Sequence, residues 1–571
     1  MRFVWFALLS VPMLAAAPQS ATVSPQAGQP QQPNTPPVQP TRPEDLCVIE
    51  GQAVNALTGD PLKKAQITVN SLGGRANANL GAVTDGTGRF VVENIEPGRY
   101  NLSAQRNGFV QFQYGARGPN RPGAPLVLNP GQRTRDLVLR MMPQGVISGH
   151  VVDEDGEPVE NAQIRAMRYS FVRGKRQMVA PGYGSTDDLG EYRVFRLEPG
   201  KYYLSATYRP RNGMMMTQDR NPAESANEGY APTYFPGTND PTNATAIEVS
   251  GGALLGGVDL TLRKTRTVRI RGHVVNPAGE GLPPWITIQL VAKEGAFINS
   301  PARTQVRGRG GAFELRDLTP GAYVLRTQWA DENTLRMVRQ PIDVGSTNLD
   351  DVNVMLTPGL AIKGQVRVDG TAEVNLASVN ISLMPQGPMP MGGAFARVKD
   401  DATFALENVN ADNYTITVRG LPPTFYVKSI RMGDADGLEA GLDLTRGAGG
   451  VLDILVSPSG GEVDGSVADP KGQPAPGATV VLVPDTRHRE RQDLFKTAAS
   501  DTSGHFSLKG ISPGEYKLFA WEDVEMGAYQ DPEFLKPFES RGESVTIREG
   551  SHENQQLKLI PADSTPKNSG T

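Results

Sequence analysis

Thr84-Asp85-Gly86-Thr87-Gly88-Arg89-Phe90, followed by Glu96-Pro97-Gly98-Arg99-Tyr100, carries the pattern of two β-strands joined by a turn. Phe90 and Val92 alternate with polar neighbours, as do Tyr100, Leu102 and Ala104, and a period of two means strands with one buried face. Proline followed by glycine at positions 97 and 98 suits the two central places of a type II turn, so the sequence predicts a hairpin closed there. The same pattern returns along the chain. An aromatic residue is followed ten positions later by a tyrosine in Phe90/Tyr100, Tyr192/Tyr202, Phe313/Tyr323, Phe404/Tyr414 and Phe506/Tyr516. Pro-Gly lies between the members at 97–98, 199–200, 320–321 and 513–514, and the fourth copy has Ala411-Asp412-Asn413 instead.

A glycine opens each copy at Gly51, Gly149, Gly272, Gly364 and Gly465, some 39 to 43 residues before the aromatic. Successive tyrosines are 102, 121, 91 and 102 residues apart, the size of a small β-sandwich. Runs such as Ala65-Gln66-Ile67-Thr68-Val69 and Ala478-Thr479-Val480-Val481-Leu482 predict a second strand. Leu137-Val138-Leu139 and Val258-Asp259-Leu260-Thr261-Leu262 predict a last one. Between them the sequence offers no helical periodicity. The expectation is all-β: a tandem array of about five Greek-key sandwiches at 45–143, 144–264 (with a long aromatic loop), 265–358, 359–458 (divergent) and 459–562.

Composition agrees. In 571 residues there are 63 glycines and 46 prolines, so turns are frequent. A net charge of −4 excludes bulk attraction to nucleic acid. A single cysteine, Cys47, excludes an intrachain disulfide framework and a thiolate zinc site, and is expected as a buried, inert thiol.

Residues 1–17 read as a secretory signal peptide: Arg2, an apolar run, then Ala15-Ala16-Ala17. Residues 18–44 read as a Pro/Gln-rich tether, with eight prolines and six glutamines between 18 and 43, and 563–571 as a polar tail. Nothing after the signal is apolar enough to cross a membrane. Export to the periplasm, envelope surface or exterior is therefore expected, without a transmembrane segment in the mature chain.

Gly149-His150-Val151-Val152-Asp153, with Pro158 and Ala162, then Thr186-Asp187-Asp188-Leu189-Gly190-Glu191-Tyr192 and Pro199-Gly200-Lys201-Tyr202, resembles the carboxypeptidase regulatory-like domain. The first and last copies resemble it too, through Thr84 to Phe90 and Ser500-Asp501-Thr502-Ser503-Gly504-His505-Phe506, whereas the third and fourth lack the Thr-Asp turn. The resemblance implies a transthyretin-like Greek-key sandwich, related in shape to starch-binding-like modules and adhesin stalk domains. It implies no chemistry, since a fold does not carry a function.

Chemistry has to be sought residue by residue. None of the five histidines (His150, His273, His488, His505, His552) begins a His-Glu-x-x-His, so no metal or cofactor is expected. Gly510-Ile511-Ser512-Pro513-Gly514 has the spacing of a serine-nucleophile elbow. The residue after the serine is proline, however, which lacks the N–H that an oxyanion needs, so no catalytic residue is assigned. The acidic turns Asp153-Glu154-Asp155-Gly156 and Asp434-Ala435-Asp436-Gly437 stop short of a calcium ligand set. What remains is aromatic: Tyr230, Tyr234, Phe235 and Trp521 lie in loops after the tyrosine strands. They are the candidate ligand-binding residues, able to stack on sugar or anchor a protein, and the alternative is that the rings fold back over the sandwich. The expected function is a non-catalytic structural or adhesive envelope protein. The alternative is a carbohydrate-binding array, and the partner is polysaccharide or another envelope protein.

Overall fold

In the computed structural model the described residues are 42–564, apart from 73–78, 117, 119–120, 122, 209–227, 278–280, 284, 294–301, 307–309, 332–333, 358, 373 and 387–392. The expected signal peptide, most of the tether and most of the tail lie outside them. Among the described residues the fold is all-β, with only short helical turns. Five large hydrophobic clusters follow one another: Cys47 to Met141, Ile147 to Leu262, Val268 to Leu356, Ile362 to Val456 and Val463 to Leu557.

Each cluster is sandwiched between two sheets. In the first, one sheet orders Arg89–Ile95, Cys47–Asn55 and Arg133–Met141, with the last strand parallel to the central one. The other sheet is built on Gln66–Ser71 and Gly98–Gln105. The third, fourth and fifth repeat this plan around Val268–Val275, Leu360–Val368 and Gly461–Ala468. In the second, the parallel strand breaks into Leu254–Leu255 and Leu260–Thr261.

The spaced residues of the sequence meet in space. Gly51 pairs with Phe90, Gly149 with Tyr192, Gly272 with Phe313, Gly364 with Phe404 and Gly465 with Phe506. A Cβ on Gly364 would stand 2.2 Å from the Phe404 ring, and one on Gly272 would be 2.8 Å from the Phe313 ring. The aromatic therefore fills the room that the missing side chain leaves, which covers a glycine in a central strand with apolar carbon.

Four residues beyond each aromatic the backbone turns left-handed, at Asn94, Arg196, Asp317, Asn408 and Gly510 (φ 57° to 63°). At that point the strand register slips by one residue, a β-bulge. The bulge bends the chain toward the second sheet. The expected Pro-Gly hairpin is thereby corrected. Arg89–Ile95 and Gly98–Gln105 belong to different sheets, and Gly98 and Gly200 have φ of 158° and 154° rather than the roughly +80° of a type II turn.

The tyrosine pins this corner. Its hydroxyl donates to the carbonyl four residues back in every copy: Tyr100 to Glu96 (2.7 Å), Tyr202 to Glu198 (2.9 Å), Tyr323 to Thr319 (2.8 Å), Tyr414 to Asn410 (3.1 Å) and Tyr516 to Ser512 (2.9 Å). The arrangement is a tyrosine corner, and it satisfies a carbonyl that the sheet-to-sheet crossing leaves unpaired.

The Thr-Asp turn has an equally local cause. The buried Thr84 hydroxyl donates to Leu62 O (2.5 Å) and accepts from Ala65 N (2.8 Å). Thr186 and Ser500 do the same in their copies. The following aspartate accepts two turn amides, from Thr87 and Arg89 in the case of Asp85.

Candidate functional site

The structure first assigns the motif residues. Ser512 gives its carbonyl to the Tyr516 hydroxyl at the fifth corner. His150 and His273 are exposed on strands. His488 sits 2.8 Å from Asp485 and His552 sits 2.6 Å from Asp464. Among the described residues no group of three or more His, Cys, Asp or Glu is placed to hold a metal ion. Asp153 and Asp436 cap their own turns by accepting backbone amides. Cys47 is buried against Asn129 O at 3.0 Å, and burial pushes its thiol pKa up.

The four loop aromatics turn inward to different degrees. Trp521 is 0% exposed, stacked on Phe519 at 5.0 Å and met edge-on by Phe538 at 5.9 Å. Tyr234 is 3% exposed among Met167, Met178 and Ala180, and burial pushes its phenol up to about 12. Tyr230 and Phe235 are half-buried against the second cluster, and Tyr230 meets Tyr208 at 5.4 Å. As placed, neither Trp521 nor Tyr234 offers a face to a ligand, because each lies on the outer side of a sheet that is covered by its own following loop.

What covers Trp521 is a segment with short helices, Gly527 to Arg541, inserted in the fifth copy. The strand Thr479–Pro484 is consequently buried on both faces. Val480 and Leu482 point into the sandwich, and Val481 and Val483 point under the insert. The sequence signal was there: Val480-Val481-Leu482-Val483 is unbroken where Ile67-Thr68-Val69 alternates, the mark of a strand covered on both sides.

The loop that begins this insert reaches the first two copies. Asp523 pairs with Arg121, and Ser170 donates to Glu525 at 2.8 Å. Phe171 meets Phe534 edge-on at 6.0 Å. The Arg173-Gly174 turn, left-handed at both residues, closes the hairpin of Gln163–Val172 and Lys175–Ser185. A Cβ on Gly174 would stand 2.8 Å from Gln530, so a side chain there would push the loop away.

Two cavities flank the loop. One, of about 750 Å³, lies at the first copy's tyrosine corner and is lined by Leu72, Pro97, Arg99, Thr479, Met526 and Tyr529. The other, of about 590 Å³, lies at the second copy's corner, between Tyr169, Arg176, Lys201, Tyr203 and Met526. These residues come from positions hundreds apart, and no spacing in the sequence announces them.

The profile of the carboxypeptidase regulatory-like domain matches residues 48–140 and 462–559. The chain is a β-sandwich repeat protein whose first and last copies match the carboxypeptidase regulatory-like domain. No curated protein matches it. Among solved structures it is similar to the Bacillus anthracis TIE protein at 16% identity and a TM-score of 0.16, over 55% of this chain and 50% of that one. It is similar also to GBS52, the minor pilin of Streptococcus agalactiae (13%, TM-score 0.22, 38% of this chain and 96% of that one). A third is BcpA, the major pilin subunit of Bacillus cereus (9%, TM-score 0.14, 54% and 99%). The chain thus spans half the length of the TIE protein, and at such TM-scores the likenesses carry nothing about function.

Proposed function

We propose that the chain is an exported, non-catalytic structural or adhesive protein of the cell envelope, made of modules at 45–143, 144–264, 265–358, 359–458 and 459–562. One observation carries this reading: the repeated polar residues are consumed by the fold. All five corner tyrosines donate to carbonyls four residues back, and Thr84, Thr186 and Ser500 bridge two backbone groups each. Residues so committed position loops; they do not move protons or attack substrates. Among the described residues no helix is long and apolar enough to cross a membrane. The partner is another envelope protein or a polysaccharide, met at the loop-bearing ends of the sandwiches.

The test is fractionation of the organism that makes the protein, comparing the full chain with one lacking residues 1–17. The full chain is expected in the envelope or medium and the truncated chain in the cytoplasm. Equal cytoplasmic recovery of both, or turnover of peptide, ester or glycoside substrates by the purified chain, overturns the reading.

A further inference from the structure

The cavity at the second copy's corner differs in chemistry from the other. It gathers four cations, Arg121, Arg168, Arg176 and Lys201, and two carboxylates, Glu198 and Glu525. Two of the cations are committed, Arg121 to Asp523 and Arg168 to Glu198 at 2.8 Å. Arg176 and Lys201 meet no carboxylate among the described residues, and both are exposed. Arg176 instead lies 4.3 Å over the ring of Tyr169, which meets Tyr203 edge-on at 5.6 Å and is 37% exposed. A guanidinium stacked on a ring keeps its N–H edge free and preoriented, which suits bidentate recognition of a carboxylate. Tyr203 and Phe171 add partly exposed aromatic wall beside it.

We propose that this cavity binds an acidic oligosaccharide, with uronate carboxylates on Arg176 and Lys201 and sugar rings against Tyr169 and Tyr203. An acidic peptide fits less well. Gln163–Met167 are paired on both sides, and beyond them Arg168–Val172 pair with Lys175–Val179 alone while the fifth copy's loop lies against them, Ser170 donating to Glu525 and Phe171 meeting Phe534, so a peptide would have to displace that loop to extend the sheet there. The chain's net charge of −4 does not oppose this, because the uncommitted positive charge is local and screened from the rest within about 8–10 Å. The inference adds a ligand to the scaffold reading and can fail while that reading stands.

The experiment is calorimetric titration of the full chain with a short oligogalacturonate, a maltooligosaccharide of equal length and poly-L-glutamate. Binding is expected for the oligogalacturonate alone, weakening as salt rises. Arg176→Ala and Tyr169→Ala are each expected to weaken it about tenfold or more, and Arg303→Ala, exposed on the third copy, to leave it unchanged. Both site residues are exposed, so the variants keep the fold, which melting of each variant verifies. No oligogalacturonate binding, equal binding of the neutral sugar, preference for polyglutamate, or binding indifferent to Arg176→Ala and Tyr169→Ala overturns the proposal.

Discussion

Replacing Gly465 by alanine adds one methyl group where two neighbours already stand. The new Cβ would lie 2.0 Å from the Gln555 carbonyl oxygen and 2.8 Å from two ring carbons of Phe506. Gln555 belongs to His552–Lys558, paired parallel to the strand of Gly465, so its oxygen retreats only by straining the ladder. Phe506 is 3% exposed within the fifth cluster and has little room to swing. Overpacking of this kind costs about 1–3 kcal/mol, and an obstruction by backbone belongs at the upper end, near 3 kcal/mol. That corresponds to a fall of roughly a hundredfold in the protection of amides released by opening of the fifth sandwich. Hydrogen exchange with mass spectrometry reads it from peptides covering His505–Ile511, with Val268–Val275 in the third copy as an unchanged internal reference. Adding Phe506→Leu is expected to recover only part of the loss, since the carbonyl clash remains. A Gly465→Ala chain whose protection in that strand stays within about threefold of the parent refutes the pairing of glycine and aromatic as the reason for the repeat.

Ser500→Ala leaves a buried carbonyl and a buried amide without their shared hydroxyl. It is expected to lower stability by about 2–4 kcal/mol, seen as a shift of the urea midpoint. Burial pushes the Tyr414 phenol up to about 12, so the folded form holds it neutral. The stability this supplies is complete below the unfolded phenol's value near 10 and is lost as pH rises through about 12. Urea midpoints of Tyr414→Phe should therefore fall less steeply than the parent's over that window. Phe171→Cys with Gly527→Cys brings two Cβ positions about 3.4 Å apart, close to disulfide distance. Mild oxidation should give an internal crosslink by non-reducing electrophoresis, and its absence would contradict docking of the insert on the second copy.

Strand identity was legible in the sequence because alternation at Phe90, Val92 and Tyr100, Leu102 reports burial directly. The pairing of Gly51 with Phe90 was visible as spacing, but not as a contact, since nothing in 39 residues says that two strands lie side by side. The corner was misread for a physical reason. Pro97-Gly98 is good turn chemistry, yet the left-handed residue that redirects the chain is Asn94, three positions earlier, where asparagine is tolerated but not required. The candidate site was the least legible part. Trp521 and Tyr234 are aromatic loop residues by sequence, and only the insert and sheet packed over them decide that they are covered. The cavity residues Tyr169, Arg176 and Lys201 lie on strands or at a corner, where the sequence gives them no role beyond an outward face.

On the proposed function, this repeat protein holds something at the cell envelope rather than transforming it. The most direct test is binding of the purified, labelled full chain to envelopes isolated from the organism that makes it. The expected result is saturable binding that unlabelled chain competes away and that leaves envelope polymers chemically unchanged. Binding that never saturates, or release of cleaved envelope polymer on incubation, would contradict it.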